Sequence, residues 1–183
     1  MTRLYTGKGD DGTTGLLFGG RVPKDSVHPR AVGAVDEAQA AIGVARALCE
    51  RDGDLDRQLT HVCRDLWVLM GELAALPQNR GKLADGQTRV SADMVRRVQE
   101  MVDEVGERFE PPAAFVVPGQ TLLAAHLDVA RTVVRRAERE AVAAVGPGSQ
   151  VVPYLNRLSS LLWAQARWAE GEHLLSRDVT PGG

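Results

Sequence analysis

Apolar residues recur every three or four positions through most of this chain. That spacing is the tightest limit on its fold, because it gathers them on one face of an α-helix but scatters them over both faces of a strand. The clearest series, Leu123, Leu127, Ala130, Val134, Ala137 and Ala141, lies in a stretch from about Thr121 to Val145. Four more stretches follow the same rule: about Pro29 to Glu50, with Val32, Val35, Ile42 and Ala45; about Leu55 to Leu76, with Leu59, Val62, Leu66, Leu69 and Leu73; Ser91 through Val105, with Met94, Val98, Met101 and Val102; and about Val151 to Leu175. Pro77 stops the second helix, "PQNRGKLADGQTR" reads as a polar loop, and Ser91 is placed as the N-cap of the third. "EPPAAFVVPGQ" and "GPGSQ" bound the fourth. With 44% hydrophobic but only 4% aromatic residues, the core is one of Ala, Leu and Val. The prediction is an all-α protein, a five-helix antiparallel, up-and-down bundle with a flexible N-terminal segment, in one domain over residues 1–183.

The same composition excludes some functions. A formal net charge of −2 supplies no general field for nucleic acid, so any anion site is local. No run approaches the roughly 18 apolar residues of a membrane span, and no apolar leader opens the chain. Two cysteines, Cys49 and Cys63, in a chain of 183 residues suit a reduced, cytoplasmic setting rather than a disulfide framework. Neither belongs to a metal-ligand cluster.

The fourth stretch also carries charge, in "ARTVVRRAERE". At about 100° per residue, Arg131, Arg135 and Glu138 fall within roughly 60° of one another beside the apolar stripe, while Arg136 and Arg139 point further out. Guanidinium groups at the edge of a buried stripe need an anion or a carboxylate, and phosphates suit the planar fork of arginine. An exposed face of Arg and Glu pairs fits the spacing as well. In "YLNRLSSLLWAQARW", Asn156 falls among Leu155, Leu158 and Leu162, where its amide either binds a ligand or bridges helices.

The first twenty residues hold Gly7, Gly9, Gly12, Gly15, Gly19 and Gly20, with Thr6, Thr13 and Thr14 between them. Such a segment can turn several backbone N–H groups toward one anion, although neither a Walker A sequence nor a dinucleotide fingerprint occurs. By composition it is equally a mobile terminus.

Taken together, "YTGKGDDGTTGL", "GGRVPKDS", "VDEAQAAIG", "FVVPGQ", "VARTVVRRAERE" and "YLNRLS" resemble, in order and spacing, the PduO-type ATP:cob(I)alamin adenosyltransferases. The resemblance spans Tyr5 to about Trp168. It implies a ferritin-like five-helix bundle that forms a homotrimer, with ATP and the corrinoid in clefts between subunits. Residues 1–28 would be the nucleotide-binding flap, 29–176 the bundle and 177–183 a tail. In that family reduced cobalt attacks the 5′ carbon of ATP and releases triphosphate, so no side chain acts as nucleophile. The resemblance implies that Thr6, Gly9, Asp10, Gly12, Thr13, Thr14 and Lys24 hold the phosphates and their Mg²⁺. It implies that Arg135, Glu138 and Asn156 complete the nucleotide site, with Arg135 nearest the developing charge. Asp36 would pair with Arg131 across the subunit interface, and Phe115 would press an apolar ring beneath the cobalamin and exclude its lower ligand. Read without the family, Phe115 is a core aromatic. A flavoprotein reductase and an adenosylcobalamin-dependent enzyme are the implied protein partners.

The chain departs from the family pattern at particular places. Gly7 stands where Lys or Arg usually follows the first Thr, Ala38 and Gln39 replace the Leu and Asn of "VDELNA", Gln120 replaces the second Gly of "PGG", and Ser160 stands where Asp is frequent. Asp128 replaces a His and sets a carboxylate one turn before Arg131, where it competes for that guanidinium. Those substitutions keep open a diverged relative that binds ATP or a corrinoid as carrier or sensor, or that uses another acceptor. A ligand-free helical oligomer is a third reading.

Overall fold

The structure, a computed structural model, describes residues 4–179; positions 180–183 of the expected tail and 1–3 of the expected flap lie outside the described residues. Five long helices dominate: α1 Val27–Arg46, α2 Asp54–Leu73, α3 Ala92–Gly106, α4 Leu122–Val142 and α5 Val151–Glu170. A two-stranded antiparallel sheet, β1 Thr13–Gly15 with β2 Arg21–Pro23, precedes them, pairing Thr14 with Val22.

The buried faces repeat at alternating steps of three and four: Ala31, Val35, Ala38, Ile42 and Ala45 on α1, and Leu127, Ala130, Val134, Ala137 and Ala141 on α4, all fully buried. This 3.5-residue average keeps a seam facing its neighbour along the whole helix. Alanines on both seams let α1 and α4 approach closely. α4 packs chiefly on α5 and α1, α1 also on α2, and α3 on α5. The short connections at 47–53 and 143–150 join neighbouring helices, while the longer ones at 74–91 and 107–121 carry the chain to and from α3, whose main neighbour is α5.

Helix ends refine the sequence reading. Ser91 does cap α3, accepting from the Met94 N–H at 3.3 Å, and Thr121 caps α4 through the Ala124 N–H at 3.1 Å. α2 ends at Leu73, before Pro77, which instead opens a short 3₁₀ helix, Pro77–Lys82, inside the expected loop. α5 stops five residues earlier than the apolar pattern suggests, at Glu170, because Gly171 takes φ +73°, a left-handed conformation that leaves the helix. The chain then returns beside residues 115–117: Val117 N–H donates to the Leu174 carbonyl and Ser176 N–H to the Phe115 carbonyl, both at 2.8 Å.

The N-terminal hairpin is docked rather than free. Leu17 N–H donates to the Ala74 carbonyl at 2.9 Å, and a side chain on Gly20 (φ +96°) would meet Leu76 Cδ1 at 2.7 Å. One glycine in the opening cluster is thus explained by close approach to the end of α2. His28 ties the start of α1 to the same place, its Nδ1 lying 2.8 Å from the Leu73 carbonyl. Buried Glu72 accepts from the Val90 N–H at 2.7 Å and the Ser149 hydroxyl at 2.6 Å, fixing two connections at one end of the bundle.

Because Leu162 is fully buried at the centre of α5, Leu162→Ala should lower stability by about 2–5 kcal/mol. Urea unfolding followed by circular dichroism measures this, and a change under about 1 kcal/mol would place Leu162 outside the core.

Candidate functional site

The polar edge of α4 is where the sequence concentrates charge, and the structure distributes that charge unevenly. Arg131 and Glu138 are half-buried, whereas Arg135 is exposed. The inward orientation expected for Arg135 is therefore corrected: it stands at the rim, because within this chain no neighbouring element covers it. Its carbonyl accepts from Arg139 Nη1 at 2.9 Å. Arg136 pairs with Glu37 of α1, and Arg30 with Glu140 at 3.2 Å. The outer charges thus pair between helices, with α1, rather than at i,i+3 and i,i+4 along α4 as the surface-pair reading had it.

Asn156 is exposed rather than buried among its leucines. Its Nδ2 donates to Glu138 Oε1 at 3.2 Å across α4 and α5, and its Oδ1 accepts from Arg157 Nη1 at 2.8 Å. Glu138 and Asn156 are brought together, with Arg135 less than one turn away on α4.

Arg131 meets the carboxylate placed one turn before it: its Nε donates to Asp128 Oδ1 at 3.0 Å. Asp36, the partner expected from a neighbouring subunit, lies exposed on α1. Asp128 is itself buried and accepts through Oδ2 from Arg167 Nη2 at 2.6 Å. Arg167, only 3% exposed, also pairs with Glu170 at 3.0 Å, and His173 Nδ1 lies 2.9 Å from the same carboxylate. Sequence reasoning missed Arg167, Glu170 and His173. Their signal was charge at i, i+3 spacing at the end of an otherwise apolar helix.

Asp128, Arg131 and Arg167 of this cluster line a cleft of about 430 Å³, together with Phe115, Pro118 and Trp163. Phe115 is 90% exposed, which overturns its reading as a core aromatic. The ring stands clear of the bundle, and the backbone of its segment is held in place by the strand-like pairing with residues 174–176.

The glycine-rich segment forms a compact turn. Lys24 N–H donates to the Gly12 carbonyl at 2.9 Å, and its Nζ lies 3.1 Å from where a side chain on Gly9 would begin. The Lys8 N–H donates to the Thr6 hydroxyl at 3.4 Å, Asp10 N–H donates to the Gly7 carbonyl at 3.2 Å, and Thr14 sits in β1. Thr13 donates its hydroxyl to Asp11 at 2.8 Å and accepts from Arg21 Nε at 3.0 Å. The segment therefore gathers Thr6, Gly9, Asp10, Gly12, Thr13 and Lys24 locally, and Asp11 and Arg21, which the sequence reading passed over, brace it. Asp11 lies below the usual carboxylate range because the Thr13 N–H and hydroxyl, and then Arg21, favour its charged form.

A family model described as cobalamin adenosyltransferase matches residues 4–169. A corrinoid adenosyltransferase of Mycobacterium leprae is 39% identical, with 100% of this chain and 98% of that protein covered, and one of Citrobacter freundii is 35% identical over 93% and 96%. Among solved structures, a variant PduO-type ATP:corrinoid adenosyltransferase from Lactobacillus reuteri complexed with cobalamin and ATP has a TM-score of 0.84 at 27% identity, covering 96% of this chain and 97% of that one. A second variant from that organism, complexed with ATP, has a TM-score of 0.81 at 27% identity over 95% and 100%.

Two outcomes are expected. The Thr13 amide shift should titrate with Asp11 at a midpoint below 3.8; the loop's bracing is then complete above that ordinary value and lost as pH falls through the lower folded one. A midpoint at or above 3.8 would mean that the contact does not form. Phe115→Ala should leave the unfolding free energy within about 0.5 kcal/mol of wild type by urea titration, as for an exposed side chain.

Proposed function

The chain belongs to the cobalamin adenosyltransferase family, and on that footing we propose how its residues divide the work. The reaction is transfer of the 5′-deoxyadenosyl group of ATP to the cobalt of a reduced corrinoid. A cobalt–carbon bond forms at the 5′ carbon as the carbon–oxygen bond to the triphosphate breaks, and the triphosphate leaves with that electron pair. Nothing in this chemistry requires a protein nucleophile. The protein's part is to align the two substrates and to stabilise negative charge on the leaving group.

The observation that carries the assignment is Phe115: a ring 90% exposed on the lining of a cleft that it shares with Asp128, Arg131 and Trp163. A corrin is a flat, largely apolar macrocycle with a polar rim, and an uncovered ring in a cleft shared with charged side chains matches both. Phe115 packs under the corrin and keeps a lower ligand away, while Arg131 meets its polar periphery. Thr6, Gly9, Asp10, Gly12, Thr13, Thr14 and Lys24 hold the phosphates, and Arg135, with Glu138 and Asn156, closes the nucleotide site.

Among the described residues no group of three His, Cys, Asp or Glu side chains is placed to cage a metal. The donor set fits Mg²⁺ carried by the nucleotide, with Asp10 and Thr13 as outer neighbours, rather than a resident ion. Bound there, Mg²⁺ would supply charge neutralisation on the triphosphate.

The exposure of Arg135 and Asp36 supports a site completed by a second copy, in a homotrimer whose flap and α4 edge come from different subunits. Reduced corrinoid must come from a reductase, a flavoprotein in this reading, and the product must pass to an adenosylcobalamin-dependent enzyme. No helix among the described residues is long and apolar enough to cross a membrane, and we place the protein in the cytoplasm.

Incubation with ATP, Mg²⁺ and chemically reduced cob(I)alamin should yield the cobalt–carbon product by its visible spectrum, and no product at micromolar enzyme would overturn the assignment. Arg135→Ala should lower turnover by about 10²-fold; near wild-type turnover would return Arg135 to the surface-pair role. Light scattering should give three times the monomer mass of 19.7 kDa, and a monomer would remove the shared site.

A further inference from the structure

Most charges on this molecule sit at its surface, but one set runs inward from the cleft. Arg131, Asp128, Arg167 and Glu170 form a line of alternating sign from the half-buried edge of α4 to the fully buried carboxylate of α5. Each buried member has a partner of opposite charge, the condition under which buried ions are tolerated. Two positive and two negative groups sum to zero, so the line can persist in a poorly solvated place.

The two oxygens of Asp128 do different things. Oδ2 takes the Arg167 Nη2 donor at 2.6 Å, and Oδ1 takes the Arg131 Nε donor at 3.0 Å. Arg167 does not depend on Asp128 alone for neutralisation, because Glu170 lies 3.0 Å from its Nε. It is also nearly sealed from solvent, so it acts as a fixed post against which Asp128 is braced. Arg131, by contrast, has its side chain 30% exposed and is held at its inner edge, through Nε, by a carboxylate three residues earlier on the same rigid helix. A guanidinium gripped at Nε still has its terminal nitrogens to offer, and this one borders the same cleft as Phe115.

We propose that Asp128 is a positioning residue: it aims the terminal fork of Arg131 into the Phe115 cleft, backed by Arg167 and Glu170, and so sets the protein's grip on the corrinoid. The proposal deepens the adenosyltransferase reading and rests on it for the identity of the cleft's ligand. Its consequence is specific. Asp128 contributes to corrinoid recognition only through Arg131, and it makes no contribution to the nucleotide site.

The test is a double-mutant cycle on the full-length protein, with KM measured separately for cob(I)alamin and for ATP. Asp128→Asn keeps the shape and removes the charge, and it should raise the corrinoid KM by about tenfold or more with the ATP KM unchanged, the kind of loss that small misplacements cause. Arg131→Lys lacks the Nε donor, so adding Asp128→Asn to it should change the corrinoid KM by less than about twofold. An equal penalty from Asp128→Asn in both backgrounds, or a parallel rise in both KM values, would overturn the proposal and leave Asp128 as a core counter-ion for Arg167. If Asp128→Asn does not fold, Asp128→Glu keeps the charge on Arg167 and displaces the oxygen facing Arg131, and the same split between KM values is expected.

The clamp can also be read without turnover. In the wild-type protein the Arg131 Nε–H resonance, assigned by its loss in Arg131→Lys, should be shifted and slow to exchange with water. A rapidly exchanging signal would refute the clamp even in an active enzyme. An inactive wild type with a protected signal would instead strike the corrinoid reading and leave the clamp standing.

Discussion

The close approach of α4 to both α1 and α5 is the constraint on which the rest of this molecule depends. It is possible because the inward residues of α4 alternate in steps of three and four and are mostly small, Ala124, Ala130, Ala137 and Ala141 among them, against an equally small seam on α1. Dense packing of this kind admits little rotation of the helix about its own axis. Once the stripe is fixed, every polar residue on α4 inherits a direction. Arg136 and Glu140 meet α1, Glu138 meets Asn156 of α5, and Arg131 reaches the cleft beneath Phe115. The core thus serves the site by setting the helix phase.

Charge placement follows from the same constraint. A bundle built on alanine and leucine has little capacity to solvate an ion, so its interior arginine must bring its own counter-ions. Arg167 does so with carboxylates from two helices, Asp128 and Glu170. Where the helices end, backbone devices replace side-chain packing. Gly171 breaks α5 and lets the chain return to hold the Phe115 segment by main-chain hydrogen bonds, and the N-terminal hairpin leans on the end of α2. Those two joints hold the Phe115 segment and the glycine-rich hairpin in place while leaving one aromatic ring exposed.

Much of this was readable in the residues. The five helices, the buried stripe of α4 and the cap at Ser91 follow from spacing and local hydrogen bonding, and Arg131 and Glu138 fall beside that stripe by helical phase alone. The sequence also showed that an aspartate stood within reach of Arg131. It did not show that Arg135 would be left exposed, that Asn156 would be taken up by Glu138 and Arg157, or that Pro77 would start a 3₁₀ helix instead of ending a helix already stopped at Leu73. Each of those depends on a neighbour brought in by the fold.

What the chain alone determined was the helical class, the buried stripes and, through its motifs, the family. These are written in contacts three or four residues long, which a helix forms the same way wherever it sits. Only the tertiary structure decided that Asp128 would be shared with Arg167, 39 residues further on, and that Phe115 would stand uncovered. A charge's partner and a ring's burial depend on which helices and connections become neighbours, and no local pattern encodes that pairing.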